Sequence, residues 1–210
     1  DSVPAEALIH LLRSTDREQE GLDLLAAAEK NAPNWIDLKR LRAEQLYGMD
    51  LFAAALPVFQ SALALAPRSP YLNWRVRSPL PMKFDDALAI KHAELASQLS
   101  GGEHPFYQEE YASRLIDVGR YADAQQVLEA LRKADPTWGR IALRLGYALH
   151  KQGKTKEALP LFEEASKAKP RVRREQDDKA LADFDIARAH AKLGNADAAF
   201  KQLGALEAAG

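Results

Sequence analysis

Along most of the chain apolar residues recur at three- and four-residue steps, in short segments broken by polar residues, glycine or proline. Leu8, Leu11 and Leu12 form one such stripe, and Leu22, Leu25 and Ala28 form the next. That spacing predicts amphipathic helices, each with one face turned to a core. The helices come in pairs, and the pairs repeat. Aligning YASRLIDVGRYADAQQVLEALRKADP (111–136) with LRLGYALHKQGKTKEALPLFEEASKAKP (143–170) puts Gly153 on Gly119, Ala158 on Ala124 and Phe162 on Leu128. Ala165 then falls on Leu131 and Pro170 on Pro136, all at an offset of 34.

The same internal spacing appears as Ala55, Phe59, Ala62 and Pro67 in a unit covering 36–69, and as Gly21, Leu25, Ala28 and Pro33 in a unit covering 2–35. Gly194, Ala199, Leu203 and Leu206 carry it into a last unit, 180–210, after an extra segment at 173–179. Local signals agree with helical hairpins. Thr15 with Glu18 reads as a capping box, and Asn195 and Asp50 stand where helix caps are wanted. Gly119, Gly153 and Gly194 fall where a first helix ends in a left-handed residue, and the closing prolines stop the second helices.

A period of 34 with small residues at fixed places resembles the tetratricopeptide repeat family, whose unit has this length and an Ala-x-x-x-Phe…Pro pattern. Leu145-Gly146, Ala158-x-x-x-Phe162, Ala165 and Pro170 match that pattern, while no unit carries the family's early Trp at its usual site. Gly146 and Ala158 are expected to let the helices of a hairpin approach closely, and Ala165 to let the next helix dock. The resemblance implies an all-α fold, a right-handed superhelical solenoid of about six antiparallel hairpins forming a single domain over 1–210.

One unit, 70–104, is degenerate. FDDALAIKHAELASQL (84–99) reads as a second helix, but SPYLNWRVRSPLPMKF (69–84) stands where the first should be. Pro79 and Pro81 disfavour helix at Ser78 and Leu80, so a short helix from about Tyr71 to Arg77 and then an extended bend are expected. Either Tyr71 and Trp74 fill core there, or Trp74, Arg75 and Arg77 face a partner. The segment RVRREQDDK (171–179) reads as a lengthening of the last unit's first helix, with Glu175 and Lys179 spaced to pair, or else as a charged loop.

Composition narrows the function classes. A formal net charge of −1 speaks against a nucleic-acid binder. With no cysteine there is no disulfide framework or thiolate metal site. The most apolar stretch, LFAAALPVFQSALALA (51–66), falls short of a membrane span, so no membrane insertion is expected. DSVPAEAL has neither a basic start nor an apolar run, and the missing initiator Met suggests a processed or excised chain. A soluble protein is expected, cytoplasmic or periplasmic/secreted after processing, with the compartment open.

Nothing assembles a nucleophile, a base and a group to orient them, so no enzyme, cofactor or metal is implied. Gly153-Lys154-Thr155 lacks the four-residue spacing of a phosphate loop and reads as a repeat turn. The five histidines show no metal-ligand spacing. Gly101-Gly102 reads as a helix stop, and Asp85-Asp86 and Asp177-Asp178 as acidic helix starts.

In the family, first helices line a concave surface that grips peptides. Transferred by register, the lining includes Glu6, His10 and Arg13; Asp37, Arg40, Glu44 and Tyr47; Phe106, Glu109 and Ser113; Arg140, Leu143, Tyr147 and His150; and Leu181, Phe184 and Arg188. Arg140 and Arg144 occupy the places of the family's clamp for C-terminal carboxylates, although Glu110 stands where that clamp has Asn. Arg140, Arg144, Lys151, Arg188 and Lys192 form a basic patch suited to acidic partner segments, or a solvated helix face. The resemblance thus implies a scaffold binding another protein or peptide. The last helix leaves Phe200, Leu203 and Leu206 uncovered, which suggests a fragment or an end covered by a partner or a second copy. The alternatives are therefore a self-assembling solenoid or an accessory domain of a larger sensor or enzyme.

Overall fold

The computed structural model describes residues 17–76, 86–101, 104–172 and 175–209, together with Ala7 and Ser14. All eleven helices among the described residues are α-helical, and no strand occurs among them. They are α1 (Glu18–Asn31), α2 (Ile36–Gly48), α3 (Phe52–Leu65), α4 (Pro70–Val76), α5 (Asp86–Leu99), α6 (Pro105–Asp117), α7 (Tyr121–Ala134), α8 (Gly139–Lys151), α9 (Thr155–Lys167), α10 (Asp178–Lys192) and α11 (Ala196–Ala209). The chain divides into two compact units, Asp1–Glu103 and His104–Gly210.

Hairpins form where the period places them. In the C-terminal unit each helix packs on its neighbours in sequence, and the first helices also touch one another: α6 against α8, and α8 against α10. First helices therefore lie side by side, with the second helices behind them. Phe162, Leu128, Ala124 and Ala158 are fully buried at the repeat positions that the sequence marks as core. Gly146 is a matter of space, because a Cβ there would stand 2.8 and 2.9 Å from ring carbons of Phe162. Gly139 has the same role at the hairpin's open end, where a Cβ would meet Ala168 Cβ at 2.2 Å.

The turn glycines behave as expected: Gly119, Gly153 and Gly194 have φ of 78°, 85° and 81°. Asp50 occupies their place in the 36–69 unit with φ 59°, so it ends α2 instead of capping α3, whose N-cap is Leu51. Aspartate tolerates that conformation better than most residues. Thr15 of the expected capping box lies outside the described residues, and Arg17 stands at the N-cap of α1. Prolines 33, 67, 136 and 170 all follow the helix ends they were expected to set.

In the N-terminal unit Leu22, Phe59, Leu72 and Val76 share one core and Leu25, Leu38 and Leu41 another. The degenerate unit's first helix shrinks to the seven residues of α4, close to the expected 71–77. Leu72, Asn73 and Val76 point to the core, and Asn73 ties the helix down by donating to the carbonyls of Pro67 and Ser69 at 3.0 and 2.9 Å. Residues 77–85, including Arg77 and both later prolines, lie outside the described residues.

The extra segment does not simply lengthen a helix. α10 begins at Asp178, two residues before the 180–210 unit, and Glu175 sits in a tight helical turn ahead of it. Glu175 and Lys179 do not pair; Lys179 bonds Asp183 at 2.5 Å, one turn further on. Glu175 is buried instead, accepting from Trp138 Nε1 at 2.9 Å and from the Arg171 backbone N–H at 2.8 Å.

Candidate functional site

Two surface depressions lie on first helices, one within each unit. In the N-terminal unit a groove of about 510 Å³ runs along α2 and α4, with Asp37, Arg40 and Glu44 on one side and Tyr71 and Leu72 on the other. Two of its lining residues, Glu44 and Tyr71, hold Arg75. The guanidinium forms an ion pair with both oxygens of Glu44, receives Tyr71 Oη as a partner at 2.8 Å, and lies 4.6 Å from the Tyr47 ring centroid and 4.7 Å from that of Trp74. Phe59 and Tyr71 complete the enclosure at 5.4 Å each. A cation is held best where ring faces and a carboxylate surround it together. Arg75 and Trp74 are half-buried as part of this cluster. Glu6, His10 and Arg13 lie outside the described residues.

In the C-terminal unit α6, α8 and α10 enclose a cavity of about 390 Å³. Its apolar lining is Ile116, Leu143, Tyr147, Leu181 and Phe184. Leu181 and Phe184 are 55% and 51% exposed, although both are large apolar residues on a first helix. Their spacing of three residues puts them on the face of α10 that borders the cavity.

Charged residues frame this apolar floor, and most of them are already matched. Arg140 is buried and donates to both oxygens of Asp178 at 2.8 and 3.0 Å, with Glu175 3.8 Å away. Arg144 pairs at 2.5 Å with Glu109, which is 0% exposed, and donates to Ser113 Oγ at 3.0 Å. Arg188 pairs with Asp185 at 2.6 Å and lies 5.4 Å from the Tyr147 ring. The expected basic patch is therefore largely charge-balanced: Glu109, Glu175, Asp178 and Asp185 stand against its three arginines. Lys151 and Lys192 remain exposed at the C-terminal ends of α8 and α10, where Lys151 lies 5.3 Å from the Tyr147 ring.

The titration of these groups follows from burial. Burial pushes the Asp178 carboxyl above its ordinary range despite Arg140, and does the same to Asp185 despite Arg188. His150 does not line the cavity. It is buried in the hairpin, 3.3 Å from Thr155 Oγ1 and edge-on to Phe162. Burial, with Arg188, Lys192 and Lys151 adding to it, holds its imidazole below the usual range.

Of the residues assigned from sequence, Arg140, Leu143, Arg144, Tyr147, Leu181, Phe184 and Arg188 come together around the cavity. Glu109 and Ser113 lie beneath Arg144, and Phe106 packs on Tyr107. Sequence reasoning missed Ile116, Asp117, Asp178 and Asp185. A signal for Asp178 was present. Partners across hairpins recur near one repeat length: Glu44–Arg75 at 31 residues, Arg132–Glu164 at 32 and Arg140–Asp178 at 38.

Comparison with known proteins bears on the fold. Residues 112–172 match the tetratricopeptide repeat family. No curated protein sequence matches the chain significantly. Among solved structures, PilW, a widely conserved type IV pilus biogenesis factor, is similar over 99% of this chain and 92% of its own at 18% identity, with a TM-score of 0.73. YrrB, a TPR protein with an unusual peptide-binding site, is similar over 87% and 90% at 17% identity (TM-score 0.69). MamA from Desulfovibrio magneticus RS-1 is similar over 82% and 93% at 14% identity (TM-score 0.70). At such identities the likeness concerns the fold, which is the all-α, TPR-like solenoid implied by the period. Residues 112–172 thus match the tetratricopeptide repeat family, and the chain as a whole has the TPR-like solenoid fold.

Proposed function

We propose that this protein is an interaction scaffold whose C-terminal unit holds an extended segment of a partner protein against α6, α8 and α10. The observation that carries the reading is the 390 Å³ cavity with half-exposed Leu181 and Phe184 at its edge. A concave apolar floor framed by a few fixed charges is what a binding site for a side chain needs. Exposed large apolar residues gathered at such a floor mark an interaction surface more often than a solvated face. The segment would seat one large apolar side chain on Leu143, Tyr147 and Phe184. An acidic residue beside it would meet Lys151, Arg188 and Lys192, where the positive charge is least matched. Binding at equilibrium on a preformed scaffold requires no chemistry beyond these contacts. YrrB's described peptide-binding site is compatible with this use of the fold.

The test is selection of peptides from a random library on the purified chain, followed by mapping of backbone amide shifts with the strongest binder. Shifts confined to α6, α8 and α10 are the expected result. Shifts confined to the N-terminal unit, or no selected peptides, would end the reading.

A second reading rests on α11, where Phe200 is 73% and Leu203 42% exposed. Leu203 holds the repeat position at which Phe162 and Leu128 are fully buried, so a face that is core elsewhere is open here. Self-association through that face would appear as mass rising with concentration in light scattering, abolished by Phe200→Glu.

A further inference from the structure

The extra segment before α10 changes what the cavity can accept. Arg171 donates to both oxygens of Asp135 at 2.5 and 3.1 Å and to Thr137 Oγ1 at 2.7 Å, which clamps the segment to the turn ahead of α8. Its guanidinium lies 5.6 Å from the Trp138 ring, and Trp138 and Arg171 both donate to the buried carboxylate of Glu175. The result is that Glu175 and Asp178 are delivered to Arg140 from one side. Arg140 and Asp178 both line the cavity, yet the cation is already bidentately bound and almost without exposure.

We propose that Arg171, Glu175 and Asp178 form a specificity element: Asp178 and Glu175 occupy Arg140, so the cavity end near the start of α8 takes uncharged residues and rejects carboxylates. An incoming acid there would have to displace Asp178 from a two-point charge-assisted bond, and it would meet Asp178 and Glu175 as like charges. At the opposite end Asp185 stands against Arg188 and Lys151, the other lining carboxylate, Asp117, is paired with Arg114 at 3.0 Å, and Lys192 is exposed at the end of α10. The cavity is thus electrically asymmetric along the first helices. Its ligand is a segment with an apolar anchor, uncharged residues on one flank and an acidic residue on the other, bound in one direction. This rests on the reading that the cavity seats an apolar anchor, and names the chemistry of what flanks it.

The experiment pans one random peptide library against the unaltered chain and against Asp178→Asn, with both thermal transitions recorded. Asparagine keeps the size of the side chain but removes the charge that binds Arg140 at two points. For the unaltered chain, selected peptides should share an apolar anchor with acidic enrichment on one flank. For Asp178→Asn, acidic residues should appear on the second flank as well. There, a Glu-for-Gln exchange in a synthetic binder should raise affinity about tenfold (~1.4 kcal/mol), against less than about twofold for the unaltered chain. Identical flank profiles for the two proteins, or acid on both flanks of the unaltered chain's peptides, would overturn the inference while leaving the apolar anchor standing. Peptides without any shared anchor would instead overturn the reading beneath it. Should Asp178→Asn unfold, Asp178→Ser on the same library decides the matter, and Lys192→Glu, on an exposed side chain, should erase the acidic flank alone.

Discussion

The two units handle an arginine on a first helix in opposite ways. In the N-terminal unit Arg75 is enclosed by Tyr47, Phe59, Tyr71 and Trp74, with Glu44 as its carboxylate. In the C-terminal unit Arg140 and Arg144 are held by carboxylates, one of them the fully buried Glu109. In the N-terminal cluster four rings are turned to the cation. The carboxylates of the C-terminal unit neutralise Arg140 and Arg144 and leave Leu181 and Phe184 exposed, although Arg188 lies 6.0 Å from the Phe184 ring. A cation satisfied by rings consumes apolar surface; one satisfied by carboxylates spares it.

Substitutions can break that contrast. The largest effect is expected for Glu109→Ala, which strands Arg144 beside a buried gap. It should cost about 2 kcal/mol in urea denaturation, less than the full penalty for a stranded buried charge because Arg144 reaches solvent. Glu44→Ala should cost about 1 kcal/mol, since Arg75 keeps its four rings. If Glu44→Ala proves the more damaging, the rings do not hold Arg75 and the contrast fails.

A smaller effect comes with pH. His92, which bonds Asn73 Oδ1 through Nδ1 at 2.9 Å, and His150 both have imidazoles held below their ordinary range, chiefly by burial. The unfolded chain therefore takes up the proton first. Their contribution is present above the unfolded value of about 6.5 and is lost as pH falls from there toward the folded values. The melting temperature should fall between pH 7.5 and 5.5, and His150→Gln should flatten that fall.

The smallest change is expected for Asp185→Asn. Burial raises this carboxyl, so its ionised form weakens the fold until pH drops through the raised value toward the ordinary one. The variant should melt no lower than the unaltered chain at pH 7 and lose that advantage near pH 4. A marked drop at pH 7 would mean that the Arg188 pair outweighs the desolvation.

Periodicity made the hairpins legible because each repeat position has one packing demand. Phe162 needs Gly146 opposite it, and the closing prolines need only follow a helix. The turn position was legible where glycine marks it and missed at Asp50, where a residue that also serves as a cap took the left-handed place. The candidate site was half legible. Register put Leu143, Tyr147, Phe184 and Arg188 on one surface, but it counted positive residues without their partners. For Arg144 the partner comes from the neighbouring hairpin, for Arg188 from one turn back on its own helix, and for Arg140 from a segment outside the repeat, which has no register to transfer. His150 was misplaced because its helix is buried nearly all round, so a face assigned by spacing alone was ambiguous.

The most direct test of the central claim is titration of the strongest library-selected peptide against the unaltered chain and against Phe184→Asp, an exposed position whose change should leave the melting temperature in place. The account predicts at least a tenfold loss of affinity, about 1.4 kcal/mol, with unaltered folding. Equal affinity for the two proteins would contradict it.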